Sequence, residues 1–89
     1  MNFDDDWQKF KLHFAEVHPN FFEKLYQESN ALNNNETRFC AYIRMGLTTK
    51  EIAQLMGISA GSVQKARYRL KKKLELEKEV NLIEYISTL

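Results

Sequence analysis

Apolar residues recur at helical spacing along most of this chain. Trp7, Phe10, Phe14 and Val17 step by three, four and three, which lines up one face of an α-helix. Asp4, Asp5 and Asp6 open that stretch, where carboxylates in a first turn suit the positive end of the helix dipole. An acidic metal cluster is the other reading of the three aspartates, but no further ligand set stands nearby. His13 and His18 are five apart, which places them at the surface or the core edge rather than squarely on one face. His18-Pro19 breaks the helix, and Pro19 is suited to be the first residue of the next one. Phe21, Phe22, Leu25 and Tyr26 supply its apolar face.

Start and stop signals divide the remainder. Asn33 with Glu36 three residues later is a capping-box pattern, predicting a helix from about Asn34 to Met45. This helix buries Phe39, Cys40 and Ile43 and stops at a left-handed Gly46. Thr48 and Glu51 repeat the box ahead of Ile52, Ala53, Leu55 and Met56, and Gly57 ends that run. Ser59 caps a helix reaching about Leu74. Asn81 and Glu84 begin a last one, through Leu82, Ile83, Tyr85, Ile86 and Leu89. No β-alternation of useful length is present. The expected fold is all-α: a single domain of six helices over residues 1–89.

Composition narrows the function. The 89 residues are 44% hydrophobic, 12% aromatic and 28% charged, with one Pro and three Gly, a profile opposed to low-complexity disorder and to turn-rich β folds. The longest apolar run, Cys40-Ala41-Tyr42-Ile43, is too short for a bilayer. No basic-then-apolar leader opens the chain, so no signal peptide is expected. A lone cysteine makes neither an internal disulfide nor a zinc site and fits a reducing, cytoplasmic setting. Net charge is only +1, but Gln64–Lys73 holds six cations (Lys65, Arg67, Arg69, Lys71, Lys72, Lys73) and no acid. Such a block is the footprint that polyphosphate partners require, although a solvated helix face can also carry it.

The two helices beginning at Thr48 and Ser59 have helix-turn-helix spacing. Ala53 is the small residue at the crossing, Gly57 the tight turn, Ile58 the residue expected to point inward beneath it, and Val63 the docking contact against Ala53. Ile52, Met56, Val63, Ala66 and Leu70 form the expected seam. These residues resemble the LuxR-type (NarL/FixJ-like) DNA-binding domain, from Leu32 to about Ile86. The resemblance rests on Leu32-Asn33-x-x-Glu36, Gly46-Leu47-Thr48-Thr49-Lys50-Glu51-Ile52-Ala53, Met56-Gly57-Ile58-Ser59-x-x-Ser62-Val63 and Lys72-Lys73-Leu74. After Leu74 the family carries Gly, where this chain has Glu75. Trp7-x-x-Phe10, His18-Pro19-x-Phe21, Cys40-Ala41-Tyr42-Ile43-Arg44 and Arg67-Tyr68-Arg69-Leu70 look like a narrower group. Those are the C-terminal domains of bacterial membrane-spanning regulators with β-propeller and triple-tyrosine sensor modules. The resemblance implies a four-helix LuxR-type core without a wing over 31–89, preceded by a two-helix extension over 1–30.

With Val63, Ala66, Leu70 and Leu74 in the seam, the opposite face begins with Gly61, Gln64, Lys65 and Tyr68. The resemblance implies that Gln64, Lys65 and Tyr68 touch base edges in the major groove of double-stranded DNA. Thr48, Thr49, Lys50, Ser62, Arg69 and Lys72 are the expected phosphate contacts. Arg67 leans toward the packed side and is expected to pair with Glu36, another phosphate contact being the alternative reading. Cys40 is expected to be a packing residue. The last helix gives part of its apolar stripe to the core and suggests a weak homodimer on DNA through Leu82, Tyr85 and Ile86, with closure of the core alone as the other reading. RNA polymerase is a further candidate partner. No catalytic constellation, cofactor or metal site is recognised. The competing readings are a sigma-factor region 4-like promoter-binding module and a helical interaction module without DNA binding.

Overall fold

The computed structural model describes residues 3–89, with side chains from Trp7 onward. Among the described residues there are six helices and no strand: α1 (Phe3–Val17), α2 (Phe21–Glu28), α3 (Asn34–Arg44), α4 (Thr49–Met56), α5 (Ala60–Lys73) and α6 (Leu82–Ser87). The carboxylates of Asp4, Asp5 and Asp6 lie outside the described side chains.

Caps set the boundaries. The Asn33 side chain accepts from the Glu36 N–H at 2.8 Å while Glu36 accepts from the Asn33 N–H at 2.9 Å. Thr48 and Glu51 make the same reciprocal pair at 3.2 and 3.0 Å, and those bonds hold the Glu51 carboxyl below its ordinary pKa. Ser59 and Asn81 cap α5 and α6 through the N–H groups of Ser62 and Glu84.

Three helices end alike. After α3, Gly46 has φ 82°; after α4, Gly57 has φ 66°; after α5, Glu75 has φ 56°. In each case the left-handed residue and its successor donate backwards in the paired pattern of a Schellman motif. The bonds are Gly46 N to Ile43 O with Leu47 N to Tyr42 O, Gly57 N to Gln54 O with Ile58 N to Ala53 O, and Glu75 N to Lys72 O with Leu76 N to Lys71 O. Glu75 therefore takes the conformation that the family's Gly would take, and the exit from α5 is preserved.

The core runs through the whole helix set. Trp7 and Phe14 of α1 and Phe21 and Leu25 of α2 pack against Phe39 to Ile43 of α3, which continue into Ile52, Ala53, Val63, Leu70, Leu74, Leu82 and Ile86. Trp7 stands edge-on to Tyr42 at 6.3 Å between ring centroids, and Phe10 does so at 5.1 Å. Arg38, itself buried, lays its guanidinium 4.9 Å from the centre of the Trp7 ring. Cys40 is fully buried, and desolvation, with the nearby Glu36 charge second, pushes its pKa to about 12.

Several edge residues depart from the sequence expectation. Pro19 lies in the turn rather than in the first helical position, because Asn20 (φ −106°, ψ 5°) is not yet helical and α2 begins at Phe21. Val17, the last residue of α1, is 73% exposed, and Tyr26 is 67% exposed because it lies well round the helix from the buried Phe21 and Leu25. Ile58 is 37% exposed rather than tucked inward. Its backbone N–H, not its side chain, closes the turn onto Ala53. Leu82 and Ile86 are buried beneath α3, so two of the three side chains expected at a homodimer surface belong to the core. The third, Tyr85, is half-buried and donates its hydroxyl to Glu28 Oε2 at 2.8 Å.

Candidate nucleic-acid interface

The site is assembled from the α4–α5 pair. α4 packs on α5, with Ile52 and Ala53 on one side of the seam and Val63 and Leu70 on the other, all buried. Ala53 permits the close crossing, and Gly57 reverses the chain in a conformation where a Cβ is strained. Met56 and Ala66 are half-buried flanks. Once this seam is satisfied, the helical period leaves Gly61, Gln64, Lys65 and Tyr68 on the outside, and all four are exposed. At Gly61 an added Cβ would meet only the Ser59 hydroxyl, at 3.9 Å, so the start of α5 is open to a close approach.

Tyr68 is 62% exposed, with the Lys72 ammonium 4.6 Å from its ring centre. That i, i+4 stack holds both side chains on the outer face. Lys50, Thr48, Ser62 and Arg69 are exposed, while Thr49 is half-buried. The Ser62 hydroxyl accepts from that of Ser59 at 3.1 Å.

The six cations are not equivalent. Lys73 pairs with Glu36 at 2.8 Å, tying the end of α5 to the start of α3. Lys71 donates to the Lys78 carbonyl at 3.0 Å. Arg67 donates from Nη1 to Thr49 Oγ1 at 3.2 Å. The expected Glu36–Arg67 pair is thus corrected. Arg67 lies on the α4 side of α5, whereas Lys73, almost two turns further along, reaches the N-terminus of α3. Lys65, Arg69 and Lys72 remain with charge directed to solvent. Sequence reasoning missed the Lys73–Glu36 and Tyr85–Glu28 contacts, which join residues 37 and 57 positions apart. Local periodicity carries no signal for such pairs, and only the helix-spaced Tyr68–Lys72 stack was accessible to it.

This arrangement presents an amide (Gln64), a cation (Lys65) and a phenol (Tyr68) together on the exposed face of α5. Those groups match the donor and acceptor edges of bases. The capped N-terminus of α4 and the free cations flank them, as backbone-positioning groups do.

Comparison with known proteins agrees. The family model of sigma-70 region 4 matches residues 43–74, from the end of α3 through α5. The transcriptional regulatory protein DesR of Bacillus subtilis (strain 168) is 34% identical over 65 residues, which cover 73% of this chain and 33% of DesR. The chain thus spans about a third of the length of that relative. No solved structure matches at a significant level. With the left-handed turn at Gly57, the α4–α5 seam and the exposed basic face of α5 in place, the chain carries a helix-turn-helix DNA-binding domain of the LuxR type.

Proposed function

We propose that this domain is the sequence-reading part of a transcription regulator, with α5 in the major groove of double-stranded DNA. Gln64, Lys65 and Tyr68 read base edges, Gln64 being suited to adenine and Lys65 to guanine. Thr48, Thr49, Lys50, Ser62, Arg69 and Lys72 hold backbone phosphates and set the register. The observation that carries the reading is the outward face of α5, where these three side chains stand open beside unpaired cations. The resemblance of Trp7, His18-Pro19-x-Phe21 and Cys40–Arg44 to the narrower group supports a place at the cytoplasmic end of a longer membrane-spanning regulator. Residues 1–89 act as one DNA-binding domain in this proposal, the 1–30 extension buttressing the 31–89 core. Selection of bound duplexes from a random pool tests it. A recurrent motif that Q64A or K65A blurs is the expected result, and retention of the same motif by both variants removes α5 as the reader.

The match over residues 43–74 favours a second reading, a sigma region 4-like module that reads promoters as part of RNA polymerase. Against it, α6 packs on α3 as part of the same core, where the sigma module ends soon after the basic helix. Stable binding of the chain to the core polymerase in the absence of DNA would favour the sigma reading.

A further inference from the structure

Arg67 is a cation without a counter-ion. It is half-buried, and among the described residues no carboxylate lies within ion-pair distance of it. Its one hydrogen bond runs to Thr49 Oγ1, at 3.2 Å. A hydroxyl orients a guanidinium but does not neutralise it, and a partly desolvated charge with no opposite charge is an unsatisfied group. Four of the five N–H donors of the guanidinium are left over by that bond. Beside them is an open cavity of about 360 Å³ whose walls include Gly46, Leu47, Thr48, Thr49 and Ile83 and contain no acidic side chain.

The neighbouring cations differ. Lys73 has its carboxylate and Lys71 its carbonyl, so the basic block does not lack partners in general. Among the described residues Lys65, Arg69 and Lys72 also lack a counter-ion, but they are exposed and water solvates them. Arg67 is the one that is partly buried, faces the turn between α3 and α4 and is fixed there by Thr49. The missing partner has to be an anion that comes from outside, small at its point of contact and rich in acceptor oxygens. A phosphodiester meets that description, and a guanidinium fork suits it better than an ammonium does.

We propose that Arg67, held by Thr49, is a clamp for one DNA backbone phosphate at the α3–α4 turn. It fixes the angle at which α5 enters the groove. The clamp rests on the DNA-binding reading above. Arg67 is a positioning residue in this scheme: it touches phosphate and not bases, and its effect on sequence preference passes through the seating of α5.

Fluorescence anisotropy of the whole 89-residue chain on a labelled mixed-sequence duplex, over a series of salt concentrations, tests the clamp. Removing one phosphate contact makes the slope of log K against log salt shallower by about 0.9. R67Q is expected to show that change, with affinity falling about tenfold or more, and with a melting temperature equal to or above that of the wild type. R67K, which keeps the charge, is expected to keep the slope. T49V is expected to keep the slope as well but to bind a few-fold more weakly, because the guanidinium is no longer pre-oriented. A wild-type chain that binds no duplex overturns the reading of the domain, and the clamp with it. A wild-type chain that binds while R67Q retains its slope and affinity overturns the clamp alone. A lower melting temperature for R67Q at unchanged slope makes Arg67 a mere brace between α4 and α5, which also overturns it. Should R67Q fail to fold, T49V decides: affinity identical to the wild type overturns the clamp.

Discussion

At Glu75 the backbone demands one conformation and the side chain prefers another. Its φ of 56° completes the motif that ends α5, and for an L-residue that region costs about 1–2 kcal/mol relative to glycine. The Glu75 side chain is exposed and, among the described residues, makes no hydrogen bond or ion pair to offset the cost. Glu75→Gly is therefore expected to stabilise the domain by roughly 1 kcal/mol, raising the melting temperature by about 4–8 °C. Gly57→Ala should shift it downward by a similar amount, and calorimetry of the two variants reads both signs. An unchanged melting temperature for Glu75→Gly would remove the strain. Ionisation supplies a second residue-scale prediction. Burial raises Cys40 from 9.0 to about 12, and burial with the Glu28 hydrogen bond raises Tyr85 from 10.0 to about 12. Both groups are neutral when protonated, and the folded state holds those protons more tightly than the unfolded chain. Their contribution is full below about pH 9 and is lost as pH rises toward 12. Thermal melts should accordingly fall across that window, while Cys40 resists alkylation at pH 9 in the folded protein. Rapid alkylation without unfolding would contradict the burial that drives the shift.

Elements whose signals are local were legible before the fold was known. Asn33/Glu36 and Thr48/Glu51 announce helix starts because both halves of each capping box lie within three residues, and Gly46 and Gly57 announce stops because few residues accept positive φ. The same locality exposes the outward face of α5, since the seam at Val63 and Leu70 fixes the opposite side by period alone. What the period does not fix is where a long flexible cation goes. Arg67 and Lys73 lie on the same helix six residues apart, and their partners are chosen by the neighbouring helix that each one meets, α4 or α3. Nor does a period reveal how a six-residue helix divides its apolar stripe between core and surface. The stripe alone therefore suggests a homodimer contact for Leu82 and Ile86, both of which are buried. The division along α5 has a measurable form. Q64A and K65A are expected to cost about 1–3 kcal/mol at a cognate site and relax its sequence. Lys72→Ala should weaken all duplexes about equally, with a slope shallower by about 0.9. A change in preferred motif with Lys72→Ala alone would instead assign base reading to the Tyr68–Lys72 stack.

Over the whole molecule, the first 30 residues determine whether the reading helix has anything to stand on. Trp7, Phe14, Phe21 and Leu25 are buried in the same cluster as Val63 and Leu70, so the extension is part of the core that supports α5. The Trp7 and Phe10 rings against Tyr42, with the Arg38 guanidinium over Trp7, join α1 to α3. The Tyr85–Glu28 bond joins α6 to α2 on the other side. A chain of this size buries only about two-thirds of the surface exposed by its unfolded form, and removing one large core side chain costs about 3–5 kcal/mol. Loss of several at once exceeds the roughly 5–15 kcal/mol that stabilises a typical domain. The fragment 31–89 holds all of the residues proposed to contact DNA and the full LuxR-type motif, yet it is expected not to fold alone and to bind duplex DNA only weakly. The intact chain is expected to unfold in one transition, with tryptophan fluorescence, which reports α1, coinciding with far-UV circular dichroism, which reports all six helices. Tyr85→Phe should lower that single transition without splitting it, by about 1 kcal/mol. If 31–89 melted cooperatively near the temperature of the intact chain, or if fluorescence preceded dichroism, α1 and α2 would be an appendage to a self-sufficient reader rather than part of its foundation.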